Sequence, residues 1–305
     1  MKTVLSTKKT VVIVTCCRDM WSFEMLARSM KRNLSPCNIV IVINEEDNDC
    51  IEWARWYKTS IRKFLQRHNV RILKRSDIYN FEIPLQHKQD GWVNQQVCKI
   101  LVAYKIDTPY YVCIDSKNFF FKYTEIDNLK QTQQETIQWM DSWLLNWTKK
   151  MCSQFDVEFT KTYKFKLTQN ITPFVLDTTM VKSLVEHFGS KKDFFDNFFE
   201  LKLPSNSVSP SEFVMYDIWC KSQHYVNKET TVQNSATIWN HAYDYSEQHN
   251  TTFYEMVLLS YDHFGITVTG LHSSLKGKFT ISDCVHFLNK IHCRKFLPTS
   301  VDYPF

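Results

Sequence analysis

Tyr110-Tyr111-Val112-Cys113-Ile114-Asp115-Ser116-Lys117-Asn118-Phe119-Phe120-Phe121 is an aromatic and apolar run that abruptly delivers Asp, Lys and Asn. Such a run reads as a buried strand whose end presents polar side chains. In an open α/β sheet the carboxyl ends of parallel strands face the ligand crevice, which makes this strand end the first place to look for chemistry. Just upstream, Gly91-Trp92-Val93-Asn94-Gln95-Gln96-Val97-Cys98-Lys99 opens a helix that feeds into the strand.

Working outward, residues 11–14 (Val-Val-Ile-Val) form a short apolar strand ending in Thr15-Cys16-Cys17-Arg18-Asp19, and a helix follows over residues 20–33. A second strand over 38–43 ends in Asn44 and an acidic turn, then come a helix over about 50–68 and a third strand over 70–73. Strand, polar end, helix, repeated, predicts a mainly parallel sheet with right-handed crossovers. Apolar rather than alternating strands predict helices on both faces. Past Phe121, residues 128–152 read as one amphipathic helix carrying Trp139, Trp143 and Trp147 at fourfold spacing, an aromatic face suited to packing or to stacking on sugars. Residues 163–167 read as a strand, 178–188 as a helix, 204–210 as a Ser-rich surface loop, and Ser211 as the cap of a helix reaching about residue 222. No internal repeat or low-complexity linker divides the chain.

The composition excludes several function classes. With 305 residues, 44% hydrophobic and 23% charged, the chain is globular. A net charge of +5 is too diffuse to argue for nucleic acid, yet it suits a phosphate-bearing substrate. The 5 glycines cannot spell a dinucleotide-binding Gly-x-Gly-x-x-Gly or a phosphate loop ending in Gly-Lys-Ser/Thr, which disfavours common nicotinamide and flavin oxidoreductases and P-loop ATPases. The first nine residues lack a signal-peptide apolar stretch, and no run is long enough to span a membrane. The expectation is therefore a cytoplasmic chain with reduced thiols and no transmembrane segment. Cys284, His286, His292 and Cys293 invite a zinc reading, but on a helix Cys284 and His286 point about 200° apart, so their convergence requires the helix to break.

The helix and strand motifs together resemble a poorly characterised, glycosyltransferase-like family of GT-A fold, marked by a Gly-Trp-x-x-Gln-Gln-x-x-Lys helix and a Tyr-Tyr-hydrophobic-Asp-x-Lys/Asp strand end. The likeness extends over residues 11–121, and further to Ile171-Thr172-Pro173-Phe174, Ser211-Glu212-Phe213 and Gly270-Leu271-His272. It implies a single GT-A-like domain over 1–305, with a nucleotide-sugar-binding half (1–121) and an acceptor-side half with C-terminal helices (122–305). It implies transfer of a sugar from a nucleotide-sugar to a glycan or other hydroxyl acceptor; the alternative is an inactive descendant that binds carbohydrate or protein. GT-A enzymes generally carry Asp-x-Asp at this strand end to hold a divalent metal. Here Lys117 fills the third position, so the motif is incomplete and no metal ligand is assigned.

On this reading Thr15, Arg18 and Asp19 at the end of the first strand meet the nucleotide, Arg18 on a phosphate and Asp19 on ribose or base; the alternative is a capped turn. Asn44 approaches the base. Gln95 and Lys99, one helical turn apart, and Gln96 beside them offer amides and a cation to sugar hydroxyl and phosphate. Asp115 accepts from sugar or ribose hydroxyls, while Lys117 neutralises the leaving diphosphate where a metal would otherwise act. Asn118 sits beside them. Glu212 is a candidate base for an acceptor hydroxyl, or a first-turn acid favoured by the helix dipole. Trp92 and Tyr216 lie on the acceptor side. Late in the chain, His272 and Lys276 occupy a turn that in GT-A families closes over the diphosphate.

Overall fold

The computed structural model describes residues 7–44, 47–82, 91–120, 123–134, 142–159, 167–168, 172–200, 211–225, 230–231, 235–238 and 268–271. The first half alternates strand and helix: β1 (Lys9–Thr15), α1 (Met20–Asn33), β2 (Asn38–Ile43), α2 (Asp47–Trp56), a π-helical turn (Tyr57–Ile61), α3 (Arg62–Leu65), β3 (Asn69–Lys74) and α4 (Arg75–Ile78). Then come α5 (Gly91–Leu101), β4 (Tyr110–Asp115), β5 (Asn118–Phe120), β6 (Gln131–Gln134), α6 (Ser142–Gln154), β7 (Leu167–Thr168) and β8 (Phe174–Asp177). Helices α7 (Thr178–His187), α8 (Lys191–Glu200) and α9 (Glu212–Ser222) follow, with short strands β9 (Thr230–Thr231), β10 (Ser235–Ile238) and β11 (Val268–Leu271).

The main sheet has the order β3-β2-β1-β4-β8. Strands β1, β2, β3 and β4 are parallel, and β8 closes the edge antiparallel to β4. This is the α/β, mainly parallel, helix-flanked sheet expected of a GT-A-like chain. Its alternation explains why the strands read as unbroken apolar runs. Val11, Ile13, Ile39, Ile41, Val112, Ile114 and Val175 pack on one face with α1, α2 and α3. Val12, Val14, Val40, Val42, Tyr111, Cys113, Phe174 and Leu176 pack on the other with the helices of the second half. Successive side chains point to opposite faces, so a strand buried on both has no polar position to spare.

The sequence reading is corrected in one place: residues 128–152 are not one helix. Gln131–Gln134 forms β6, paired with β7 and β9, and the helix begins only at Ser142. Backbone pairing with neighbouring strands gives this Gln-Thr-Gln-Gln stretch partners that a polar helix face would lack, which is how tertiary context overrides a weak propensity. Trp147 is fully buried and its indole donates to the carbonyl of Ser211 at 3.2 Å, a packing role. Trp139, the 204–210 loop and the Cys284–Cys293 cluster lie outside the described residues. Among the described residues Cys37, Cys98, Cys113, Cys152 and Cys220 are free thiols, and no helix is long and apolar enough to cross a membrane.

Behind the sheet, Trp53 is fully buried, stacked on Tyr57 at 5.5 Å and edge-on to Phe23 at 5.3 Å. Its indole nitrogen is buried without a hydrogen-bond partner. Trp53→Ala should therefore destabilise the fold by about 3–5 kcal/mol through the cavity it leaves. Trp53→Phe should cost less than half of that, because it removes an unsatisfied donor together with some volume. Urea unfolding of the two variants checks the ordering, which equal losses would contradict.

Candidate functional site

Three parallel strands end side by side. Val14 is in register with Asp115 and Thr15 with Ile43, so the ends of β1, β2 and β4 form one rim. Helix α5 starts at this rim. The Asn44 amide donates to the Gly91 carbonyl at 2.9 Å, and Gln95 Nε2 donates to the Val14 carbonyl at 3.1 Å. Both bonds pin the first turns of α5 against the sheet, which leaves Lys99, further along the helix, pointing at the end of β4.

Lys99 is the centre of the site. Its ammonium is 3.0 Å from Asp115 Oδ1 and 3.0 Å from Glu212 Oε1, and lies 4.9 Å from the centroid of the Phe213 ring. Both Lys99 and Glu212 are almost wholly buried. Lys117 approaches the other oxygen of Asp115 at 3.8 Å and remains about one-third exposed at 35%. Burial works against the charged form of all three deeply placed groups. For Asp115 that penalty is overcome by Lys99 and Lys117, and its carboxyl is held at about 2. Glu212 is raised, because burial outweighs its share of the same cation, and the negative Asp115 adds to the rise. Lys99 is pulled upward despite its burial by the two carboxylates and stays charged. Two acids thus divide one lysine unequally, the one with a second cation taking the larger part.

The rest of the constellation is braced from within. Gln96 Oε1 accepts from the Glu212 amide at 2.9 Å, and Ser211 caps α9 by accepting from the Val214 amide at 3.3 Å. Asn118 Oδ1 accepts from the Asp115 amide at 2.7 Å, and its Nδ2 donates to the Thr172 carbonyl at 3.3 Å. Phe213 stacks flat on Phe174 with ring centroids 4.1 Å apart. Tyr216 is buried with its hydroxyl accepting from the Asp177 amide at 3.0 Å, inside the packing rather than on an open acceptor face. Thr172, Phe174 and Phe213, none singled out by residue type, prove to be what surrounds the charged core. Their signal was present as the Ile171-Thr172-Pro173-Phe174 and Ser211-Glu212-Phe213 pieces of the family likeness.

Outside this core the rim is open. Trp92 is half exposed, and the Arg18 guanidinium lies 3.2 Å from where a Cβ on Gly91 would stand, so that glycine lets the cation rest on the first turn of α5. No acidic residue occupies that turn. Thr15 Oγ1 and Asn44 Oδ1 are buried at the rim without hydrogen-bond partners among the described residues. Asp19 precedes α1 but makes no side-chain capping bond. His272 and Lys276 lie outside the described residues, although β11, which leads to them, pairs with β5 so that Gly270 faces Asn118.

Among the described residues the donor set does not fit a divalent metal. A cation placed on Asp115 would meet the ammonium groups of Lys99 and Lys117, and among the described residues no cluster of three or more His, Cys, Asp and Glu side chains converges as ligands would.

Lys99→Met strands two buried carboxylates and should cost about 3–5 kcal/mol at neutral pH. The loss should shrink as pH falls, since protonation then relieves the uncompensated charge. In the unaltered protein the sign differs for Asp115: its folded value lies below the ordinary 3.8, so its contribution is complete above that range and is lost as pH falls toward about 2. Denaturant midpoints of both proteins across acid and neutral pH check this, and a pH-independent Lys99→Met deficit would contradict it.

Comparison with known proteins assigns no activity. No curated protein matches the chain. Among solved structures, the apo crystal structure of mouse Xyloside xylosyltransferase 1 is similar at a TM-score of 0.44 and 9% identity, covering 80% of this chain and 93% of that one. Residues 6–258 match a family of unknown function, DUF6492, and the chain belongs to that family.

Proposed function

We propose that this protein is a GT-A-like module that binds a phosphate-bearing sugar, of the nucleotide-sugar kind, at the rim of β1, β2 and β4 without transferring it. The observation that carries this reading is the engagement of both candidate catalytic carboxylates by Lys99 at 3.0 Å each. A general base must be free to take a proton and near enough to the acceptor hydroxyl. Glu212 is buried against a permanent cation, and Asp115 is held strongly acidic by two.

Binding is supported by what remains open. Arg18 and the first amides of α5 are both positive, an arrangement that a phosphate relieves and that no first-turn acid relieves here. Trp92 offers an exposed ring on which a sugar or base can lie.

Sugar transfer to a glycan or other hydroxyl acceptor is the second reading, and one observation favours it. Lys117 holds the outer oxygen of Asp115 only loosely, at 3.8 Å and partly exposed, so a leaving diphosphate can draw it away and use it as a point charge. In that case donor binding needs little divalent metal.

Calorimetry and donor-hydrolysis assays with a panel of nucleotide-sugars separate the readings. Binding without turnover is expected, weakened about tenfold by Arg18→Ala, the loss of one partly screened charge-assisted contact. Turnover abolished by Asp115→Asn or Glu212→Gln would establish the transferase instead. Absence of binding to every donor would remove the rim as a sugar-phosphate site.

A further inference from the structure

Far from the rim, basic side chains gather where α1 ends and α3 begins. Arg28, Lys31 and Lys63 surround the single ring of Phe64, with charged atoms 4.6, 5.8 and 5.1 Å from its centroid. Among the described residues only Arg28 of these three has an acidic partner, Glu24 at 2.6 Å. Lys31, Arg62, Lys63 and Arg67 are exposed. None of these four is ion-paired among the described residues. Arg67 instead donates to the carbonyls of Met30 and Leu34, closing the C-terminus of α1. Cations at a helix C-terminus are favoured by its dipole, which accounts for Arg67 and in part for Lys31. Lys63 and Arg62, in the last turn of α3, are favoured in the same way and add like charge to the same patch.

We propose that this α1–α3 face docks on an anionic lipid bilayer. Charge complementarity is the basis: among the described residues the face combines four exposed cations without ion-pair partners, and a negatively charged surface draws such clusters to it. A bilayer is preferred to a single-stranded nucleic acid because Phe64, the aromatic at the centre of the patch, is only 8% exposed and covered by the cations, so no base can stack there. The position also suits attachment. Helix α1 leaves the carboxyl end of β1 and returns to the start of β2, and α3 precedes the start of β3, so the patch lies at the end of the sheet where the parallel strands begin. The rim that carries Asp115 is at the opposite end and stays open to solution.

Vesicle co-sedimentation of the full chain at low salt tests this, with phosphatidylcholine vesicles that either contain or lack phosphatidylserine. The protein should pellet with the anionic vesicles alone and be released by salt. The double variant Lys31→Ala, Lys63→Ala should reduce partitioning about 25-fold, at about five-fold for each cation removed, and Lys31→Arg, Lys63→Arg should retain it. Neither lysine carries a main-chain bond, so the variants' unfolding midpoints serve as a check that the fold is intact. Equal pelleting with neutral vesicles, no loss in the alanine variant, or displacement by duplex DNA at equal phosphate concentration would each overturn the proposal.

Discussion

A buried ammonium between two carboxylates organises this molecule. Lys99 belongs to α5, Asp115 to the end of β4 and Glu212 to the first turn of α9, so one side chain ties together a helix of the first half, the central sheet and a helix more than a hundred residues later. The contact is not a simple gain. Desolvating three charged groups is expensive, and the attraction among them compensates only while all partners remain. What the arrangement secures is position: Gln96 must hold the Glu212 amide, Asn118 must hold the Asp115 amide, and Phe213 must lie on Phe174 for the three charges to meet.

The same constraint shapes what the rim can do. Carboxylates at the ends of parallel strands are the natural ligands for a metal or base in this architecture, but here they face inward to lysines. On the proposed reading, recognition falls instead to Arg18, Trp92 and Lys117 at the rim. These are groups that recognise phosphate, ring faces and hydroxyls. If that reading holds, the strand end that stands out in the sequence acts chiefly as a support for the groups around it.

Much of the architecture was legible in the sequence because the strands are buried on both faces. The runs at 11–14, 39–43 and 110–114 are apolar throughout, the edge strand at 70–73 is broken only by Arg71, and all alternate with helices, a pattern that leaves few topologies. Residues 131–134 were misread because a polar Gln-Thr-Gln-Gln stretch carries little intrinsic preference and takes its strand form from β7 and β9. The site was legible in its members but not in its pairing. Asp115, Lys99, Gln96 and Glu212 were all singled out, yet no spacing rule says that Lys99 turns to the carboxylates rather than to a phosphate. Asn118 and Tyr216 likewise looked like ligand contacts, whereas they satisfy backbone amides inside the packing. Long-range partners of this kind are fixed only when α9 lands on α5.

A double-mutant cycle addresses the central claim, that Lys99 and Glu212 stabilise each other through a shared buried charge. Urea unfolding of Lys99→Met, Glu212→Gln and the double variant at neutral pH measures the coupling directly. An interaction of about 2–3 kcal/mol, with the double variant markedly more stable than the sum of the single losses allows, is the predicted result. Additive losses within about 0.5 kcal/mol would contradict it and show that the two side chains are neighbours without being partners.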